Sequence, residues 1–361
     1  MSTATEYLNP IIISLKRLLI GSLTTSAIIT ASTLATASDH KHEEHAHEEH
    51  AHEEHAHEEH EHEEHEHEQH EEHNEVHTPT PKRAAINQPS IPLASLPASV
   101  TNKTEIAISN YPLFLLSEAV TKGAPSGKLL LQPGDVGHHG TLSPSAIKTV
   151  KDSRYVVWFG NELESNLVNS VGKSANSISL FSFNAFKRRP LRDIKAQPIA
   201  GTLDPHIWLE PENAKAITRA LGSLYSRANP KYKAVYATNV RNFEKQMNQA
   251  VLQAQSKTSK PRPYWAYHDA FGYIESALNL KLAGALTSDH HLPPKASQFV
   301  WLNSTRPKPT MCMVLQTENN KGALNKLNPV NSTVQQEDMS AATDFVSGWL
   351  KLATNINRCI G

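Results

Sequence analysis

Cysteine is scarce in this 361-residue chain, with only Cys312 and Cys359, and neither lies near the N-terminus. A lipid-anchored mature N-terminus, which needs a cysteine at the cleavage point, is excluded, as is a zinc finger built on closely spaced cysteines. A net charge of either sign is lacking too, since the total is −1 with histidine neutral. That balance conceals a division. Residues 39–77 carry sixteen Glu and one Asp against Lys41, a balance of −16, whereas the chain after His77 carries thirty-two Lys and Arg against eighteen acids, a balance of +14.

The acidic segment lacks what a fold needs. From His42 to His73 no apolar residue is larger than alanine, so the segment cannot bury enough surface to offset the entropy of ordering, and a disordered tail is expected. What it has is histidine: fifteen of the chain's twenty-one lie between His40 and His77, in a degenerate five-residue repeat of the type His-Glu-Glu-His-Ala. Neutral imidazole and carboxylate both ligate borderline divalent metals, so weak binding of several ions through interchangeable ligand sets is expected here. The bland alternative is a solvated charge run.

Upstream, Lys16 and Arg17 precede an uncharged apolar stretch that closes on Ala35-Thr36-Ala37 before Ser38. This is the layout of a cleavable secretory signal peptide over residues 1–37, too diluted by Ser and Thr for a membrane anchor. Export to an oxidising compartment makes the even pair Cys312 and Cys359 a disulfide. Residues 78–97, rich in Pro and Ser, read as an extended linker.

The body alternates short apolar runs with helical stretches. Residues 105–109, 128–132, 154–160 and 177–183 read as strands, and 264–268, 280–286 and 310–316 repeat the theme. Such alternation predicts parallel sheets covered by helices, an α/β fold. Between the groups, residues 229–255 have Pro230 near the start and no Gly or Pro inside, which predicts one uninterrupted helix. The expected organisation is an N-terminal lobe (98–228), a long rigid linking helix (229–258) and a C-terminal lobe (259–361). The densest basic patch, residues 186–195 ("FKRRPLRDIK"), has no stacking or groove-reading motif beside it, so a nucleic-acid partner is not expected; electrostatic docking of the acidic tail is the simpler reading.

Six histidines lie outside the tail: His138, His139, His206, His268, His290 and His291. None has short-range zinc-finger spacing, so joint ligation requires the fold to gather them. His138 and His139 follow one predicted strand, His268 ends another, and His206 lies in a Pro-flanked turn before a helix. In open parallel sheets the carboxyl ends of strands face the binding crevice.

Three segments, "GDVGHHGTLSPSAIKTVKDSRYVVWFGNELE" (134–164), "DPHIWLEPENA" (204–214) and "YWAYHDAFGYIESALNL" (264–280), resemble the zinc-type metal-binding subunits of ABC importers, the ZnuA-like periplasmic solute-binding proteins. The resemblance runs from about Thr104 to Cys359. It implies the metal-type periplasmic binding fold of two lobes joined by one long helix, zinc as the bound ion, and an ABC permease with its ATPase as partners of a monomeric periplasmic protein. Residue by residue, it puts metal ligands on His206 and His268, and a third on His138, with His139 as the competitor because "GHHGTLSPS" departs from the usual pattern. It also sets the neutral Asn328, in "LNPVN", where manganese-type relatives carry an acid, and an imidazole-dominated site favours zinc. Glu318 is a candidate fourth ligand, and the loop histidines His290 and His291 are further candidates. A three-histidine zinc with open water is also the recipe for a hydrolase, with Asp204 and Asp269 as candidate acids. A free-standing zinc buffer is the other alternative.

Overall fold

The computed structural model describes residues 105–135, 140–288 and 292–361. All belong to one compact unit, Pro81–Gly361. The signal peptide, the His-rich tail, the linker, His138 and His139, and His290 and His291 lie outside the described residues.

Two four-stranded parallel sheets carry the fold. The first comprises β1 (Ile106–Ile108), β2 (Lys128–Leu129), β3 (Tyr155–Trp158) and β4 (Ser177–Ser179), in the order β2-β1-β3-β4. The second comprises β5 (Arg262–His268), β6 (Leu280–Thr287), β7 (Met311–Leu315) and β8 (Val330–Val334), in the order β6-β5-β7-β8. Helices α1 (Tyr111–Thr121), α2 (Pro144–Asp152), α3 (Pro211–Ala228), α4 (Lys233–Ala254), α5 (Glu275–Leu278), α6 (Ala296–Ser304) and α7 (Phe345–Ile360) cover them.

The helices start where local chemistry tells them to. Asn110 Oδ1 accepts the Leu113 amide at 3.2 Å, Ser143 Oγ accepts that of Ala146 at 3.2 Å, and Asp344 Oδ1 accepts that of Ser347 at 2.9 Å, so each satisfies a donor that the first turn leaves open. Prolines at the first turns of α1, α2 and α3 lack the amide that would otherwise be orphaned. The linking helix is α4, 22 residues long and entered through a 3-10 turn over Pro230–Tyr232. It buries Tyr236, Phe243, Met247, Ala250 and Ala254, spaced by three, four or seven. The helix packs against α1, α3 and α7.

The strands alternate, as period-two side chains must. Ile106, Ile108, Tyr155 and Val157 of the first sheet, and Tyr264, Ala266, Cys312 and Val314 of the second, enter one common core with α1, α3, α4 and α7. Ala107, Val156 and Trp158 point outward into a smaller cluster with α2, and Trp265, Tyr267, Met311 and Met313 into another with Phe299 and Leu302 of α6. Both lobes therefore share one continuous interior. Cys312 of β7 bonds Cys359 of α7 as expected, with Cα atoms 5.5 Å apart.

Strand β8 has no counterpart in the sequence reading. Its residues, Val-Asn-Ser-Thr-Val, alternate weakly and stay partly exposed because it is an edge strand, paired only with β7.

Candidate metal centre

All eight strands are parallel within their sheets, and loops at the carboxyl ends of both line one pocket, with Asn110 and Leu163 from the first and Glu337 and Asp338 from the second. Asn110 follows β1, the 160–164 turn follows β3, His268 is the last residue of β5 and pairs in register with Thr287 of β6, and Glu337 and Asp338 follow β8. Of the sequence-predicted ligands, the structure brings two together. The rings of His206 and His268 lie 5.8 Å apart between centroids at 63°. Two imidazoles sharing one tetrahedral ion, each about 2.0–2.1 Å from it, have ring centres on the order of 5 Å apart.

His206 is aimed by its own turn. Asp204 Oδ1 accepts the His206 backbone amide at 3.0 Å and faces Nδ1 at 2.8 Å, so the Nδ1 proton is donated to the carboxylate and Nε2 is left for a ligand. The Tyr273 hydroxyl donates to the Asp204 carbonyl at 3.1 Å, and the Trp208 indole donates to the Glu337 carbonyl at 2.9 Å. Burial works against charge on His206, but the hydrogen bond and charge of Asp204, with Glu337 and Asp269, outweigh it and raise its pKa. His268 is buried at the end of β5, where its carbonyl accepts from Gln316 Nε2 at 3.1 Å.

Glu337 is the residue that sequence reasoning missed. It is 5% exposed, its carboxyl is raised by burial and lowered in part by His206, and with His206 and Asp338 it lines a cavity of about 10 Å³. That is room for one water-sized particle. Asn328, by contrast, precedes β8 and so sits at the end of the strand away from the crevice. The only signal for Glu337 was two acids, Glu337 and Asp338, shortly after a run that reads poorly as a strand.

Glu318 follows β7, but its side chain is 67% exposed and pairs with Lys321. Asp269, weighed as a hydrolytic acid, is held at both oxygens by Arg192, with Nε to Oδ2 and Nη2 to Oδ1 both at 2.7 Å. Asp204 is committed to His206. Neither carboxylate is placed to activate water. Among the described residues no three His, Cys, Asp or Glu side chains are already arranged around one ion. They supply an imidazole pair, with Glu337 facing the His206 member.

The family described as "ZnuA: Zinc-uptake complex component A periplasmic" matches residues 106–334. A relative named "High-affinity zinc uptake system protein ZnuA" from Haemophilus ducreyi is 27% identical over 230 residues, covering 56% of this chain and 74% of that protein. The Zn(II)-bound ZnuA-like domain of Streptococcus pneumoniae AdcA shares the fold with a TM-score of 0.57 at 18% identity, over 72% of this chain and 99% of that one. A crystal structure of ZnuA does so with a TM-score of 0.59 at 15% identity, over 72% and 100%.

Proposed function

Because the chain belongs to the family of periplasmic zinc-uptake component A, whose members bind solutes rather than catalyse reactions, we propose that it captures Zn²⁺ in the periplasm and hands it to an ABC importer. His206 and His268 bind the ion, the loop after β2 adds His138 or His139, and Glu337 supplies the oxygen donor in place of Glu318. An N₃O set of this kind suits zinc, whose imidazole and carboxylate bonds are about 2.0–2.2 Å long. The observation that carries the reading is the His206–His268 pair at 5.8 Å, with His206 fixed through Asp204.

The signal peptide delivers the chain to the periplasm as a soluble monomer, its permease and ATPase partners wait at the membrane, and the tail acts as a low-affinity zinc collector tethered to the body. The tail's −16 against the body's +14 favours its return to that body. Two arginines of the 186–195 patch, Arg189 and Arg192, already have their charge matched by carboxylates and are not free for this docking. Arg188 donates to the carbonyls of Phe181 and Phe183, and Arg189 and Arg192 bind Glu275.

Zinc titration of the mature protein tests the reading. Tight binding of one ion to a version lacking residues 38–97 is expected, with losses of about a hundredfold or more in His206→Ala and His268→Ala, since ligand neighbours alone are worth 10–100-fold. Tight binding that vanishes with the tail, or that survives both substitutions, would overturn it.

A further inference from the structure

Between β4 and α3 the chain makes an excursion, residues 189–204, that leaves the first lobe and lies on the second. Its base closes on itself: the Asp204 amide donates to the Arg189 carbonyl at 2.8 Å and the Ile199 amide to that of Leu191 at 2.8 Å. Its side docks on the outer edge of the second sheet, where the Ala285 amide of β6 donates to the Ile194 carbonyl at 2.9 Å. Arg192 is the rivet. Besides gripping Asp269 with two bonds, it donates from Nη2 to Glu275 Oε1 at 2.9 Å and from Nη1 to Glu275 Oε2 at 3.1 Å. Its side chain is 12% exposed and that of Asp269 7%. With Arg189 on Glu275 the group holds two cations and two carboxylates, so the buried charge is balanced.

This strap ends at Asp204, two residues before His206, and its rivet grips Asp269, one residue after His268. Gly272 lies under both: a Cβ there would come within 3.2 Å of Arg192 Nη2 and 3.3 Å of Asp204 Oδ2, so only glycine admits the strap at this distance without displacement. The geometry points to Arg192 as a positioning residue of the metal centre, which sets the separation of His206 and His268 by fixing the turn that carries each. The inference rests on the zinc reading above. It also gives Arg192 a second role, because it occupies both oxygens of a carboxylate adjacent to His268 and keeps that carboxylate off the ion. Arginine suits the task where lysine does not, since the planar fork matches carboxylate oxygens two at a time.

The test compares wild type, Arg192→Met, Arg192→Lys and Gly272→Ala for zinc affinity, zinc release rate and the visible absorption of the cobalt(II)-substituted protein. Arg262→Met is the control, because Arg262 bonds the Leu278 carbonyl and Asn357 at the opposite end of β5. Expected are an affinity loss of about tenfold or more in Arg192→Met, carried by faster release, with a shifted cobalt spectrum, smaller changes of the same sign in Arg192→Lys and Gly272→Ala, and none in Arg262→Met. If Arg192→Met does not fold, Arg192→Lys and Gly272→Ala decide by the same readouts. Wild-type affinity and spectrum in the Arg192 variants, with only a fall in melting temperature like that of Arg262→Met, would overturn the inference and leave the zinc reading intact. A wild-type protein that binds no zinc would overturn both.

Discussion

Glu164 illustrates how far a single buried group departs from its behaviour in water. It is fully buried, and burial pushes its carboxyl from the ordinary 4.5 up to about 7, although the Phe159 amide at 2.7 Å and Asn110 Nδ2 at 2.9 Å both donate to it. Between those two values the folded protein keeps a proton that the unfolded chain releases, so this residue's stabilisation, complete below pH 4.5, is lost as pH rises through about 7. The loss is on the order of 3 kcal/mol. Glu164→Gln has no such proton to lose. Urea unfolding of both proteins at pH 5 and pH 8 is therefore expected to show the variant gaining on wild type by roughly 2–3 kcal/mol between the two conditions. A constant difference across pH would place the carboxyl's titration elsewhere.

At the scale of elements, what was legible followed from physics that acts locally. Strands β5, β6 and β7 are short, mostly apolar runs bounded by turns, and α4 has neither Gly nor Pro inside, so the sequence marks both nearly to their ends. His206 and His268 were legible because their turns carry specific patterns, "DPHIW" and "YHDAFGY". Strand β8 was not, since an edge strand bonded on one side needs no apolar alternation, and with it went Glu337, whose position is defined only by where that strand ends. The strap was misread for a different reason. A run of arginines looks like a charged surface until the partners Asp269 and Glu275, some eighty residues downstream, are brought to it. Glu337→Gln puts the missed element to a test. It keeps the shape, removes the charge that faces His206, and is expected to weaken zinc by about ten- to a hundredfold, less than loss of either histidine. Unchanged binding by calorimetry would remove Glu337 from the ligand set.

For the molecule as a whole, the single interior shared by both sheets and α4 limits how the two lobes respond to an ion. A hinge would have to break bonds that cross between the lobes, such as the Trp349 indole to the Leu209 carbonyl at 2.9 Å and the Tyr111 hydroxyl to the Ala342 carbonyl at 2.6 Å, and open the core that both sheets share, and truncating even one large core side chain costs about 3–5 kcal/mol. Adjustment to metal is thereby left to the crevice loops. The same whole-molecule view gives the Cys312–Cys359 bond a meaning beyond rigidity. It closes a covalent ring of 47 residues' separation that contains the exposed turn Glu318–Leu327, β8 with its Glu337 loop, and α7. A protease that nicks this turn, a surface site of the kind proteases choose, cuts the ring open without freeing either piece. The nicked protein is expected to migrate as one intact chain on a non-reducing gel and as two fragments after reduction, and to keep Glu337 tethered beside His206. Two fragments without reductant would show that the ring is open in solution. In a compartment shared with proteases, the closed ring makes the carboxylate loop tolerant of damage to its own approach.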